Sequence, residues 1–533
     1  MPQKDKNLKG FGFDLHPQVT FFSVLILVIF IMLNLMFQSD IKVIVDSTLN
    51  SITSNMGWFF VLSMNIIVIS IFYFAFSRFG KIKIGGQDST PEFSRLAWFA
   101  MLLSAGMGIG LMFWSVGEPI FHLQTPSPMF GVVTPGSAQA AQASMTVTFF
   151  HWGIHPWAVY SLVGLGLAFF TYNRGLPLTI RSIFYPILGD KIYGFWGNLI
   201  DTVAVLATLA GLATSLGLGV KQINTGLDYL FGIDVNPTTQ VIIIAIITAL
   251  ASISVMTGLK GGVKRLSEFN MGLAGIFMLF FLIVGPTIYI LSGFVQNLGF
   301  YITKLPQLSL WTETFRETTW QGSWTVFYWA WWISWSPFVG MFIARISKGR
   351  TIREFILGVV VVPTLLSFTW MSIFGGSAIF LEMNNIADIT TSVNSNVATA
   401  LFEMLKEFPL TDILSIIAIV LVSIFFITSS DSGSLVVDHL TSGGKLDSPV
   451  PQRVFWAIVE GVLASVLLIG GGLKTLQVAS ILTALPFTFI ILVMIYSLHK
   501  EFSKELLVET EIEKKEEAVS RKREIEKILQ NLN

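Results

Sequence analysis

Cysteine does not occur in this chain. Its absence excludes disulfide staples, thiolate metal sites and iron–sulfur clusters, and leaves stability to packing alone. Charge is nearly as scarce: Asp, Glu, Lys and Arg make up 12% of 533 residues and cancel to a formal net charge of zero, where soluble domains carry about 25%. A soluble fold is excluded on that count. With no basic excess, nothing in the chain would attract a nucleic acid. What is abundant is apolar: 53% of the residues are hydrophobic and the mean hydropathy is +0.70. The composition predicts an all-α integral membrane protein whose main surroundings are a lipid bilayer.

About 20 apolar residues cross roughly 30 Å of hydrocarbon. Runs of that kind lie near 18–37, 57–78, 95–116, 143–171, 196–219, 239–257, 270–294, 324–345, 354–379, 411–430, 453–471 and 476–498, about twelve spans. Residues 1–17 form a short leading tail, with no small-residue cleavage site after it, so the first span is expected to be retained. Basic residues concentrate in alternate loops: Arg78, Lys81, Lys83 and Arg95; Arg174, Arg181 and Lys191; Lys260, Lys264 and Arg265; Arg345, Lys348, Arg350 and Arg353; Lys445 and Arg453. The intervening loops hold little, among it Lys42, Lys221, Lys304, Arg316 and Lys406, and residues 117–144 hold none. Short cytoplasmic loops are the ones enriched in Lys and Arg, which predicts both termini in the cytoplasm. Residues 499–533 are rich in mixed charge, with Val508, Ile512, Val519, Ile525, Leu529 and Leu532 on a roughly helical period, and are expected to form a solvated amphipathic helix.

Three stretches carry chemistry. The third span contains Ser104-Ala105-Gly106-Met107-Gly108-Ile109-Gly110. Glycines at every second position serve no single helical face, which predicts a broken helix whose freed N–H groups could meet a carboxylate and whose carbonyls could meet a cation; close packing through Gly106 and Gly110 is the plainer account. The eighth span puts Tyr328, Trp331, Trp332 and Trp335 on one face, and the fourth adds Trp152, Trp157 and Tyr160, with Pro156 expected to kink it. Deep tryptophans with no acid written among them suit a quaternary ammonium, held by cation–π contact worth about 2 kcal/mol or more per ring when dry. His151 and His155 have zinc-like i, i+4 spacing but lack a third ligand, so structural histidines are the better account. In the tenth span, Thr428, Ser429 and Ser430 precede Asp431; their hydroxyls suit an alkali cation or a helix contact, and Asp431 a proton site or a cap.

Four segments, SAGMGIGLMFWSVGEP (104–119), HWGIHPWAVY (151–160), FYWAWWISWSPFVGMFIARISKGRTIREF (327–355) and FFITSSDSGS (425–434), together resemble the betaine/choline/carnitine transporter family, over about residues 12–498. The resemblance implies a LeuT-type inverted repeat of five plus five helices (about 95–294 and 324–498) behind two extra helices, usually assembled as a homotrimer. It implies that Trp152, Trp157, Tyr160, Trp331, Trp332 and Trp335, with Trp329 beside them, hold the substrate, and that the backbone at Ala105, Met107, Gly108 and Ile109 meets its carboxylate. It also implies a sodium site from Ser104, Met107 and Phe425 carbonyls and Thr428 and Ser429 hydroxyls. A second sodium site would use Thr208 and Phe338, but Leu212 stands where its other threonine belongs. Choline carriers of the family resemble this chain with Asp in place of Gly110; glycine suits a zwitterion that brings its own carboxylate.

The expectation is a sodium-driven importer of glycine betaine for osmoprotection in the cytoplasmic membrane, with no cofactor beyond the coupling ion and no enzymatic activity. A choline or carnitine carrier, or more remotely an ion channel, are the alternatives. Salt screens the mixed charges of the C-terminal tail; deleting residues 504–533 is therefore expected to alter activation of uptake by hyperosmotic shock, measured in whole cells.

Overall fold

The computed structural model describes residues 7–37, 40–106, 108–257, 263–315 and 318–532. It is built almost wholly of helices; a two-stranded hairpin, Leu8–Gly10 with Phe13–Leu15, precedes the first. Among the described residues ten helices are long and apolar enough to cross a membrane, and the bent pair Arg95–Gly106 and Ile109–Gln124 makes an eleventh span. The remaining expected span corresponds to Phe327–Ile346, whose indole, phenol and hydroxyl groups lower its hydropathy.

Burial sorts these helices into layers. The spans Ala138–Tyr172 and Phe195–Phe231 are 94% and 89% buried by protein, whereas Pro17–Met36 and Arg265–Val284 are 28% and 22% buried. The first two are therefore central and the other two peripheral, with Leu25, Ile29, Ile276 and Ile283 exposed as lipid-facing groups.

Several boundaries differ from the sequence reading. The run 270–294 is two helices, Val263–Val284 and Thr287–Leu310, separated at Gly285 and Pro286; proline offers no N–H to continue the first. The second piece buries Ile290, Tyr301 and Leu308 along one side. The fourth span breaks at Gly153 (φ −93°, ψ −130°) rather than at Pro156. Pro156 sits in the first turn of the following helix, Ile154–Tyr172, where its missing N–H costs nothing. The tenth span continues to Thr441, so Asp431 lies inside it and is not a cap. The last span and the tail are one helix, Leu473–Leu532. Lys260 and Arg316, used above for orientation, lie outside the described residues, as do the side chains of Lys42, Lys264, Ile512, Leu529 and Leu532.

The basic loops meet at one end of the bundle. Asn173 Nδ2 donates to the Lys83 carbonyl and its Oδ1 accepts from the Gly85 N–H, Ile84 and Ile82 pair with the 349–352 backbone, and Arg353 donates to the Ala75 carbonyl. The N-terminal hairpin docks there through Lys445 on Asp14 at 2.8 Å and Asn7 on the Ser442 carbonyl. Arg174 bridges Glu501 at 2.7 Å and Glu505 at 2.6 Å on the last helix, and this double pairing raises the pKa of its guanidinium. Both termini thus leave the bundle at the same end.

At that end the Arg181 guanidinium and backbone N–H both bind the Asp201 carboxylate, with the two side chains 3% and 0% exposed. Removing one partner strands the other charge, at a cost of about 3–5 kcal/mol. Asp201→Ala is expected to lower the thermal midpoint of the detergent-solubilised protein by several degrees, read by scanning fluorimetry.

Candidate binding cavity and its supports

The third span turns by 60° between Arg95–Gly106 and Ile109–Gln124. Gly108, fully extended at φ −169° and ψ −178°, is the N-cap of the second piece. A helix start leaves its first backbone N–H groups without intrahelical partners, and the positive end of the helix dipole adds to their pull on an anion. These groups border a partly open cavity. Its walls are Ala105, Gly106, Gly108, Gly110 and Leu111 from the broken span, Trp152, Pro156, Trp157 and Tyr160 from the fourth, and Trp331, Trp332 and Trp335 from Phe327–Ile346, with Ser367.

Six of the seven aromatic rings that spacing singled out on the fourth and eighth spans, all but Tyr328, therefore share one space. Trp331 and Trp332 stack with centroids 4.7 Å apart, Trp152 meets Trp332 edge-on at 4.9 Å, and Tyr160 meets Trp157 edge-on at 5.3 Å. Three ring edges are tied back into the protein. Trp331 Nε1 donates to Ser215 Oγ (3.2 Å), Trp332 Nε1 to the His151 carbonyl (3.0 Å) and Trp152 Nε1 to Glu118 Oε2 (2.8 Å). Tying the edges fixes the orientation of the faces. Tyr160 Oη and Trp335 Nε1, both on the cavity, have no hydrogen-bond partner among the described residues. The space is contracted, about 30 Å³, room for only a few water molecules.

Other expected members sit elsewhere. Trp329 points away from the cavity, stacked on His155 at 4.9 Å and edge-on to Phe150 at 5.0 Å; two positions before Trp331, it is turned about 200° round the helix from it. The Ile109 side chain packs against Gly219, leaving only its backbone near the break. Met107 lies outside the described residues. Tyr328 stands behind the cage, stacked on His151 at 4.6 Å and on Trp332 at 5.7 Å. Trp324, one turn before Tyr328, is buried against His122 and Phe121.

A second cavity, about 130 Å³, is lined by Ser104, Ala105, Trp335, Phe338, Phe425, Thr428, Ser429 and Ser432 with Asn270. It brings Ser104, Phe425, Thr428 and Ser429 together, and it shares Ala105 and Trp335 with the aromatic cavity. Its hydroxyl and carbonyl oxygens are hard donors of the kind an alkali cation takes. Thr208 does not join Phe338 there: its hydroxyl donates to the Ala204 carbonyl at 2.7 Å, and Leu212 packs its methyl groups over Gly433.

Sequence reasoning missed Glu118. It placed residues 117–144 outside the membrane and found no acid among the tryptophans. The helix Ile109–Gln124 instead carries Glu118 into the bundle, where it is 0% exposed. Trp152 Nε1, Tyr328 Oη (2.5 Å) and His151 Nδ1 (2.6 Å) all reach it. The signal was there in Gly117-Glu118-Pro119, the one acidic residue between Arg95 and Gln124. Glu118, His122 and His151 place possible ligand atoms within 4.8 Å of one another. The 2.6 Å separation of Glu118 and His151 is a hydrogen bond; two ligands on one zinc ion, each bonded at about 2.0–2.2 Å, stand further apart. His155 turns away to Ser309 Oγ at 3.3 Å, so the i, i+4 histidine pair converges on no common point.

A dozen apolar spans around a broken helix, an aromatic cavity and an adjoining oxygen-lined one define a membrane transporter. The chain belongs to the betaine/carnitine/choline family of transporters, whose profile it matches over residues 18–507. It is 46% identical, over 95% of its length and 93% of the relative's, to a glycine betaine/proline/choline transporter of Vibrio parahaemolyticus. Identity is 48% to the glycine betaine transporter OpuD of Bacillus subtilis, over 85% and 88%, and 45% to a glycine betaine transporter of Acinetobacter baylyi, over 91% and 73%.

The glycines make a contrast that can be measured. A Cβ at Gly110 would stand 2.7 Å from Trp331 and 3.0 Å from Trp152, whereas at Gly108 the nearest atom, on Trp335, is 3.8 Å away. Overpacking costs about 1–3 kcal/mol, more than the roughly 1 kcal/mol alanine gains over glycine in a helix. Gly110→Ala is expected to lower the thermal midpoint and shift indole fluorescence, while Gly108→Ala leaves both near the parent values.

Proposed function

We propose that this protein is a sodium-coupled symporter that imports glycine betaine across the cytoplasmic membrane, with both termini in the cytoplasm and with the protein assembled as a homotrimer. The observation that carries the reading is the convergence of the aromatic cavity on the start of the Ile109–Gln124 helix. A trimethylammonium group has no N–H to donate, so ring faces serve it better than a hydrogen-bonding acceptor, and its carboxylate falls to the free N–H groups near Gly108. Relatives named as glycine betaine transporters support the substrate class.

The sodium site is assigned to Ser104, Met107, Phe425, Thr428 and Ser429. Its coupling to substrate runs through Ala105 and Trp335, which belong to both cavities: filling one cavity sets a wall of the other. The contracted cage must open for substrate, and the two threonine-type ligands of a second sodium site are not assembled, so one sodium per cycle is the proposed stoichiometry. Choline carriage is the second reading, favoured by the Vibrio relative's name; the absence of an acid at Gly110 favours betaine.

Radiolabelled betaine uptake into proteoliposomes tests this directly. Uptake should rise severalfold with an inward sodium gradient, and Trp332→Ala should abolish it. Uptake indifferent to sodium would refute the coupling, and uptake of choline in preference to betaine would refute the substrate.

A further inference from the structure

Glu118 stands directly behind the cage, is fully buried, and is met from three sides. Trp152 Nε1 and Tyr328 Oη donate to Oε2 at 2.8 and 2.5 Å, and His151 Nδ1 lies 2.6 Å from Oε1. Thr325 Oγ1 lies 3.0 Å from His151 Nε2. With a proton on Nδ1, His151 completes the set: it donates to Glu118 while the threonine hydroxyl meets its other nitrogen. Every group facing the carboxyl is then a donor, the arrangement that stabilises an ionised carboxylate. His122 Nε2 is 3.7 Å from Oε1, and among the described residues no lysine or arginine pairs with Glu118. The nearest cavity wall to this charge is the Trp152 ring. Trp331 and Trp332 donate instead to neutral acceptors, a hydroxyl and a carbonyl.

Resting on the betaine reading above, we infer that Glu118 is a specificity-determining residue: it supplies the negative charge that selects a permanently cationic headgroup, acting through Trp152 and Tyr328 without touching the substrate. The helix that holds it makes the two ends of the site opposite in sign. Its N-terminus at Gly108 offers N–H groups to a carboxylate, and Glu118, ten residues along at 1.5 Å each, lies roughly 15 Å further on. A zwitterion aligned between them is favoured at both ends. An indole that donates its N–H to an anion also gains electron density on its face, which strengthens cation–π attraction.

Glu118→Gln separates charge from shape. The amide oxygen can accept from Trp152 and Tyr328, and the amide nitrogen can donate to His151 Nδ1 once that ring carries its proton on Nε2 and donates to Thr325. The bonds survive and the charge does not. The experiment compares binding, by intrinsic fluorescence or calorimetry on purified protein, of glycine betaine and of 3,3-dimethylbutyrate, in which an uncharged tert-butyl group replaces the trimethylammonium. The parent should prefer betaine. In E118Q betaine affinity should fall roughly tenfold, the scale of a unit charge about 10 Å away at an effective dielectric near 20, while affinity for 3,3-dimethylbutyrate changes little. E118D keeps the charge and loosens the bonds, so both affinities should weaken with the preference retained; it carries the test if E118Q does not fold. An unchanged preference in E118Q, or a preference lost in E118D, overturns the inference. A parent protein that binds neither compound overturns the betaine reading instead.

Discussion

A hydrocarbon bilayer offers no partner to an unpaired backbone group, so a helix that breaks at mid-membrane must give its free ends something to hold. The break between Gly106 and Ile109 obeys that constraint in two directions. The N–H groups of the outgoing helix face the aromatic cavity, and the last residues of the incoming helix, Ser104 and Ala105, border the oxygen-lined one. The 60° turn leaves open space at Gly108, with Trp335 3.8 Å from where a Cβ would stand. Gly110 lets the indoles of Trp331 and Trp152 close over the helix start. One irregularity in one span thus sets the floor of both cavities and their spacing.

The rest of the fold acts to hold ring faces around that floor. Indoles are large and carry one polar edge, and a buried edge needs a partner. Ser215, the His151 carbonyl and Glu118 provide three such partners from three different elements. Each bond restricts one ring, and the stacking of Tyr328 on His151 and Trp332 locks the outer wall as a unit. The long helix Thr287–Leu310 contributes at a distance: the Ile154 N–H, freed where the fourth span breaks at Gly153, donates to Tyr301 Oη at 3.1 Å. The two breaks are therefore satisfied in different ways, one by a side chain and the other left open toward the site.

Most of this was legible in the chain because membrane burial writes a strong signal. Spacing placed Trp331, Trp332 and Trp335 on one face, and alternate glycines announced the break. What failed were readings that needed three dimensions. Trp329 shares a helix with the cage tryptophans, but its direction is set by rotation about that helix, and adjacent sequence said nothing of it. Glu118 was lost to a length rule: a span ended at 116 because an acid followed, whereas the bundle interior can accept a carboxylate when three donors surround it. Pro156 drew attention away from Gly153, since proline near a helix start is innocuous and glycine is where the backbone turns. Gly285-Pro286 was overlooked because its flanks are equally apolar.

The arrangement also bears on how much work each cycle can do. A monovalent cation moving through 100 mV releases about 2.3 kcal/mol, and a tenfold concentration difference adds about 1.4. On the proposed one-sodium cycle, these sum to roughly 500-fold accumulation of a neutral zwitterion; two ions would square it. The place where a second ion would sit is filled differently. Leu212 brings no oxygen and lays hydrocarbon on Gly433, so an ion there would lack a ligand and displace well-packed methyl groups. A desolvated cation with too few oxygens is held far less well than in water. On the proposed cycle, the same leucine that brings no ligand also closes the space, so packing between Phe195–Phe231 and Thr411–Thr441, and not the cage, would set the concentrating power.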